Sequence, residues 1–276
     1  MKLPKLTNKQ REIIHLLYKY RFLNRIQIQT LMGHKDYKTI NVWLKDLRAN
    51  NYVEWIYSTD FAERTKPAIY YLGLNGIRLL KTFERHDIEE LRKRYRESSR
   101  SQTYIDRCLL LADCCITLEQ ARVKGEATES WYFYETEADY MEESYYHFLT
   151  DSELIHPNLC LSKQKNEGGN EVTVHSYLLE VFDATLPRYR IMKRLSNYVE
   201  YLEDGIWDGE TDDENQPIIL FVCPRTTDLI YAKRRTRGLV ANIWEKDEED
   251  RPYIRFTTVE KLKAFGVTAE EIWEEA

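Results

Sequence analysis

Residues 37–57 read YKTINVWLKDLRANNYVEWIY, a helical pattern that gives way to a β-rich run. Ile40, Trp43, Leu44 and Leu47 recur at three- and four-residue intervals, the spacing of one apolar helix face, and are expected in a core. Lys38, Asn41, Lys45 and Arg48 fall on the opposite stripe, three cations and one amide. These are the donors that meet phosphates and base edges when a helix lies in the major groove of a duplex. A merely solvated outer face would carry similar residues, so the stripe is weighed with its surroundings.

Upstream, Thr7 is placed to start a helix carrying Ile13, Ile14, Leu17 and Tyr20 at helical spacing. Asn24 starts a second helix with Ile28 and Leu31, and Gly33 stands where a left-handed C-cap belongs. His34, Lys35 and Tyr37 then precede the third helix, at the end where backbone N–H groups and the helix dipole favour phosphate. Downstream, Tyr52–Tyr57 and Ala68–Leu72 read as strands joined by the polar loop Ser58–Pro67, with Arg64 and Lys66 near its tip. Tyr70 and Tyr71 are adjacent, so strand alternation assigns one to the core and one to the surface. Leu74–Phe83 is a further amphipathic helix. Three short helices followed by a hairpin is the pattern of a winged helix, with the third helix reading double-stranded DNA and the loop touching the adjacent backbone.

Charge supports that reading. Residues 1–100 hold 21 Lys+Arg against 11 Asp+Glu, a net of +10, whereas residues 101–276 hold 19 against 35, a net of −16. A basic half is expected to meet a polyanion and an acidic half is not, at least not over a broad surface; chance segregation of solvated charge is the alternative. The 276 residues suffice for two domains, and 43% hydrophobic with 31% charged residues excludes a disordered chain. No apolar run approaches the roughly 18 residues of a membrane helix, and MKLPKLTNKQ lacks a signal-peptide core, so a cytoplasmic protein without membrane contact is expected. The five cysteines are odd in number, scattered and without His partners, which reads as buried, reduced thiols and no metal site.

The expected organisation is a winged-helix domain over 1–85, a charged helical linker over 86–101 and an α/β domain over 102–276. The linker carries Arg92, Lys93, Arg94, Arg96 and Arg100, a basic face expected to extend the DNA footprint. Beyond it a long helix is expected over 102–125. Strands follow at 131–135, 157–162, 173–182, 217–223 and 253–258, with helices at 187–203 and 226–243. Gly168, Gly169 and Asn170 make a hairpin turn, and the run Ile218–Cys223 reads as a central strand covered on both faces. The fold class is α+β: a winged helix followed by an α/β domain on a mixed sheet.

The stretches LTNKQREIIHLLYKY (6–20), WLKDLRANNYVEW (43–55) and YYLGLNGIRLL (70–80) resemble the winged helix of the replication-relaxation family of bacterial mobile elements. YLLEVFDAT (177–185) and IMKRLSNYVEYL (191–202) resemble the second half of the same family. The resemblance implies a DNA-binding protein of plasmids and conjugative elements, tied to plasmid replication and relaxation, with a winged helix fused to a restriction-endonuclease-like domain. A relaxase or replication protein is the partner it implies, and a homodimer is compatible with it. Glu180, Thr185, Lys193 and Tyr198 match the family pattern. Endonucleases of that fold place an acid on one strand and Glu-x-Lys on the next, so that carboxylates hold Mg²⁺ and the lysine orients water. Here Asn158, after His156-Pro157, stands for the first acid and Phe182 for the lysine. Asp183 should face away from Phe182 by alternation. Glu180, Asp183 and Lys193, the last as a relocated lysine, are the catalytic candidates. Because Phe182 departs from the pattern, the expectation is a degenerate site without cofactor, with Mg²⁺ entering only in a nuclease. Tyr198 as a relaxase-type nucleophile lacks accompanying metal-binding histidines and reads as a packed helix residue. The alternatives are a metal-dependent nuclease or nickase of the PD-(D/E)xK type and a winged-helix transcriptional regulator.

Overall fold

The computed structural model describes residues 3–58, 60, 65–83, 86, 88–125, 130–139, 154–167, 170–205, 216–244 and 251–276. The chain forms two compact units, Met1–Ile116 and Thr117–Ala276.

In the first unit, helix α1 (Asn8–Tyr20) begins at Thr7, whose hydroxyl accepts from Gln10 N while the Gln10 side chain accepts from Thr7 N, a reciprocal capping box. The short strand β1 (Leu23–Asn24) leads into α2 (Arg25–Leu31), where Asn24 and Gln27 repeat the same device. Gly33 ends α2 at φ +58°, with Gly33 N donating to Thr30 O and His34 N to Gln29 O. This paired closure of the last turn requires the left-handed conformation that glycine adopts without cost. Helix α3 (Tyr37–Ala49) is capped by Asp36, whose carboxylate accepts from Lys38 N and Thr39 N. It ends by the same closure through Asn51 at φ +55°.

Strands β2 (Val53–Ile56) and β3 (Ile69–Leu72) then pair antiparallel, and β1 joins the far edge of β3, giving the order β1-β3-β2. Helix, strand, two helices and a hairpin in this order are a winged helix, as the sequence pattern predicts. Ile13, Ile14, Leu17, Ile28, Ile40, Leu44 and Leu47 are all buried. Helix α4 (Leu74–Leu80) follows.

The segment expected as a linker is instead built into this unit. Helix α5 (Ile88–Lys93) and a 3-10 turn (Arg94–Ser99) bury Leu91, Glu90, Arg94 and Glu97. Arg94 Nη2 donates to Tyr18 O at 3.1 Å and Arg21 Nε to Glu97 at 2.8 Å. Arg92 and Lys93 pair with Glu89 and Glu90, and Arg100 lies 3.5 Å from Glu97. Four of the five cations, all but the exposed Arg96, are paired with carboxylates of their own segment and so do not form the open basic face that the sequence suggested. Helix α6 (Gln102–Gly125) carries the junction of the two units at Ile116/Thr117, not at the expected Ser101/Gln102. Its first turns cover the back of the small sheet: Ile105 and Cys108 pack with Phe22, Ile56, Ile69 and Tyr71. Tyr71 is therefore half-buried rather than on an open surface, and Tyr70 is buried on the other face.

The second unit is a six-stranded mixed sheet in the order β4-β5-β6-β7-β8-β9. Strands β4 (Ser130–Thr136), β5 (Leu159–Glu167) and β6 (Asn170–Val181) run antiparallel; the β5–β6 ladder reaches Glu167↔Asn170, and Gly168 and Gly169 lie outside the described residues. Helix α7 (Arg188–Glu203) carries the chain to β7 (Ile218–Cys223), parallel to β6, and α8 (Thr226–Ala241) to β8 (Ile254–Thr258), parallel to β7. Helix α9 (Val259–Phe265) and the two-residue strand β9 (Glu274–Glu275) complete the unit. All six residues of β7 are buried, as a strand covered on both faces must be. Phe182, Phe221 and Phe256 stack across three strands, with ring centroids 5.1 and 5.4 Å apart, beneath Ile191, Leu195 and Tyr198 of α7. The five cysteines are buried, and burial pushes the Cys114 and Cys223 thiols up to about 12, so they stay protonated.

Candidate nucleic-acid interface

Helix α3 buries Ile40, Leu44 and Leu47 and turns Lys38, Asn41, Val42 and Lys45 outward, all exposed. Trp43, expected in the core, is half-buried and meets His34 edge-on at 5.2 Å. His34 Nδ1 in turn accepts from Asp36 N at 3.1 Å, so the approach to α3 is held by its own side chains. The single acid of α3, Asp46, accepts from Gln10 Nε2 at 2.5 Å, turned toward α1 and away from the cationic row. Lys35 is exposed beside the N-terminus of α3. Among the described residues no carboxylate pairs with Lys35, Lys38 or Lys45. Charges left to water on one face of a helix are available to an anion.

Arg48 ends the row differently from its expected place. It is half-buried, and its guanidinium carbon lies 3.3 Å from the centroid of the Trp55 ring, on which Tyr57 stacks at 5.2 Å and 18°. Trp55 and Tyr57, 38% and 43% exposed, thus extend the α3 surface onto β2. The sequence held one signal for them, two aromatics two residues apart in a β-rich run. In the hairpin loop Lys66 is exposed, and Arg64 lies outside the described residues.

The endonuclease candidates of the second unit do not assemble as the fold pattern requires. Glu180, only 3% exposed, is ion-paired with Arg194 of α7, and Lys193 points to solvent one position earlier. Asp183 lies past the end of β6, where its Oδ1 accepts from Thr185 N at 2.8 Å and Thr185 Oγ1 at 2.6 Å. Asn158 Oδ1 accepts from Val181 N at 2.8 Å, so its oxygen holds the end of β6. Phe182 is in the aromatic stack. Each side chain that the pattern would aim at Mg²⁺ accepts from a protein donor, and the cation beside Glu180 is a guanidinium that cannot act as a base. These residues do not fit the metal. Tyr198 is buried, and desolvation, with the Glu180 carboxylate beside it, holds its hydroxyl well above the usual tyrosine range. Among the described residues no group of three His, Cys, Asp or Glu side chains is placed to hold a metal ion, and no helix is long and apolar enough to cross a membrane.

Fold and surface together define a winged-helix protein with an exposed cationic third helix, joined to a mixed α/β unit. The chain belongs to the replication-relaxation family, whose profile matches residues 14–213. No curated protein matches it. Among solved structures it is similar to two mutants of MepR from S. aureus, one of them from a multidrug-resistant clinical isolate. Each is 17% identical with a TM-score of 0.25, covering 45% of this chain and 78% or 79% of the other.

Proposed function

We propose that the chain is a DNA-binding accessory protein of a mobile element. It acts in plasmid replication or in assembly of the complex that relaxes plasmid DNA, in the cytoplasm and alongside a relaxase or replication protein. The winged helix reads duplex DNA, with α3 in the major groove and the hairpin loop on the neighbouring backbone. The observation that carries this reading is the outward row Lys38, Asn41 and Lys45 on a helix that buries Ile40, Leu44 and Leu47 on its opposite face. Membership of a family named for replication and relaxation supports DNA as the polyanion. The second unit serves as a scaffold and not as a nuclease, because Glu180 is spent on Arg194.

The test is binding of the full chain to duplex DNA, followed by anisotropy across a salt series. Affinity should fall about ten-fold or more between ~50 and ~200 mM salt, since several phosphate contacts release counterions. Lys45→Ala and Arg48→Ala should each weaken the complex by about 1–3 kcal/mol if they meet bases or desolvated phosphates. Binding that is insensitive to salt and to both substitutions would remove α3 as the interface.

A further inference from the structure

The acidic total of the second unit hides a local reversal. Residues 188–194 (RYRIMKR) and 233–237 (KRRTR) hold eight of the 19 Lys+Arg found over 101–276, and neither stretch contains an acid. They are 45 positions apart, but the topology brings them together. Strands β6 and β7 are parallel neighbours, and the helices that follow them, α7 and α8, pack side by side on one sheet face. Arg188, the first residue of α7, places its guanidinium 5.1 Å from the Tyr231 ring centroid of α8, and Arg235 places its own 5.4 Å from the same ring.

Two of the eight cations are already committed, Arg194 to Glu180 and Lys233 to Glu274. Arg188, Arg190, Lys193, Arg234, Arg235 and Arg237 are all exposed, and among the described residues none pairs with a carboxylate. Two like charges gathered on one ring repel each other, and an anion placed between or above them offsets that repulsion. The start of α7 adds to this attraction: its first turn has no acid, and Pro187 supplies no side chain to cap it. Arg190 N already donates to Pro187 O, while the N–H groups of Arg188 and Tyr189 begin the helix at the carboxyl end of the parallel strands, where α/β sheets take their ligands.

We propose that the α7–α8 face, centred on Arg188, Tyr231 and Arg235, binds the phosphate backbone of DNA as a contact surface of the second unit. This rests on the reading above that the chain handles DNA. Guanidinium groups dominate the face, and their planar fork matches phosphate oxygens. Tyr189 and Ile230, 68% and 61% exposed, lie on the same two helices as these cations and supply apolar contact for sugars.

The experiment compares the full chain with Arg188→Gln/Arg235→Gln, Arg188→Lys/Arg235→Lys and Lys38→Ala/Lys45→Ala variants, titrating each with a duplex of ~30 base pairs across a salt series. The Gln pair should lower the slope of log affinity against log salt by about 1.8, from two lost phosphate contacts, whereas the Lys pair should keep it near the parent's. A Gln pair with parental slope and affinity, beside a weakened Lys38/Lys45 pair, overturns this surface and leaves α3 standing. Loss in the Gln pair with no loss in the α3 pair upholds this surface and removes α3. No change in either variant removes both. If the Gln pair melts well below the parent, Arg234→Gln/Arg237→Gln, at exposed positions on the same helix, gives the same reading without disturbing the ring contacts.

Discussion

Arg48 lies against Trp55 at 3.3 Å, and Tyr57 stacks on that indole. A guanidinium held on an aromatic face loses fewer rotamers on docking, so Trp55 positions Arg48 for contact and also contributes ring surface of its own. Trp55→Ala should therefore weaken duplex binding by about 0.5–1 kcal/mol. Its effect should not add to that of Arg48→Ala: a double-mutant cycle on DNA affinity should give a coupling of roughly 0.5 kcal/mol or more. Strict additivity would show that the stacking is packing without consequence for recognition. At this scale much was legible in advance. Thr7, Asn24 and Gly33 are local signals, because a cap or a left-handed residue acts within a few positions of itself. Arg48 on Trp55 was not legible, because helical spacing assigns a face and says nothing about which strand residue reaches across to it. Trp43 fails for a related reason: it sits at the border of the apolar stripe, where His34 and solvent share it.

Among the elements, α5 and the following 3-10 turn depart most from their sequence. A run with five cations reads as a solvated linker because most charge runs are solvated. Here Glu97 has no exposed side-chain surface, and Arg21, Arg94 and Arg100 lie 2.8, 3.9 and 3.5 Å from it. The partner Arg21 is 76 positions away, so no local pattern could pair them. Removing a buried member of such a network strands the others. Glu97→Ala should thus cost about 3–5 kcal/mol in chemical unfolding, whereas Arg92→Ala, paired among the described residues only with the exposed Glu89, should stay within about 0.5 kcal/mol. Equal effects of the two would mean that the buried network is not what anchors this segment. The sheet of the second unit was more readable, since its apolar runs are long and continuous. Strand β9 and helix α9 escaped notice because two and seven residues carry too little periodicity.

For the whole molecule, net charge is a coarse guide. The +10 of the first hundred residues includes Arg92, Arg94 and Arg100, which are neutralised internally, while the −16 of the remainder conceals two acid-free basic stretches on α7 and α8. What decides contact with a polyanion is which charges are left to solvent on one surface. The same distinction applies to chemistry in the second unit. A nuclease would need at least two oxygens aimed at one metal ion to neutralise charge and lower the pKa of its water. Here Glu180 is held under α7 by Arg194, Asp183 closes its own turn, and Asn158 caps β6. The purified protein should therefore not convert supercoiled plasmid to the open-circular form with Mg²⁺ or Mn²⁺. Glu180→Ala should leave DNA affinity within about 0.5 kcal/mol of the parent, yet lower stability by removing the partner of Arg194 and leaving a gap beside Tyr198. Metal-dependent nicking that disappears in both Glu180→Ala and Lys193→Ala would overturn this, since it would require Arg194 to swing away and Lys193 to replace it. Unchanged stability in Glu180→Ala would separately argue that the Glu180–Arg194 pair contributes little to the fold, and that the carboxylate is retained for some purpose other than packing.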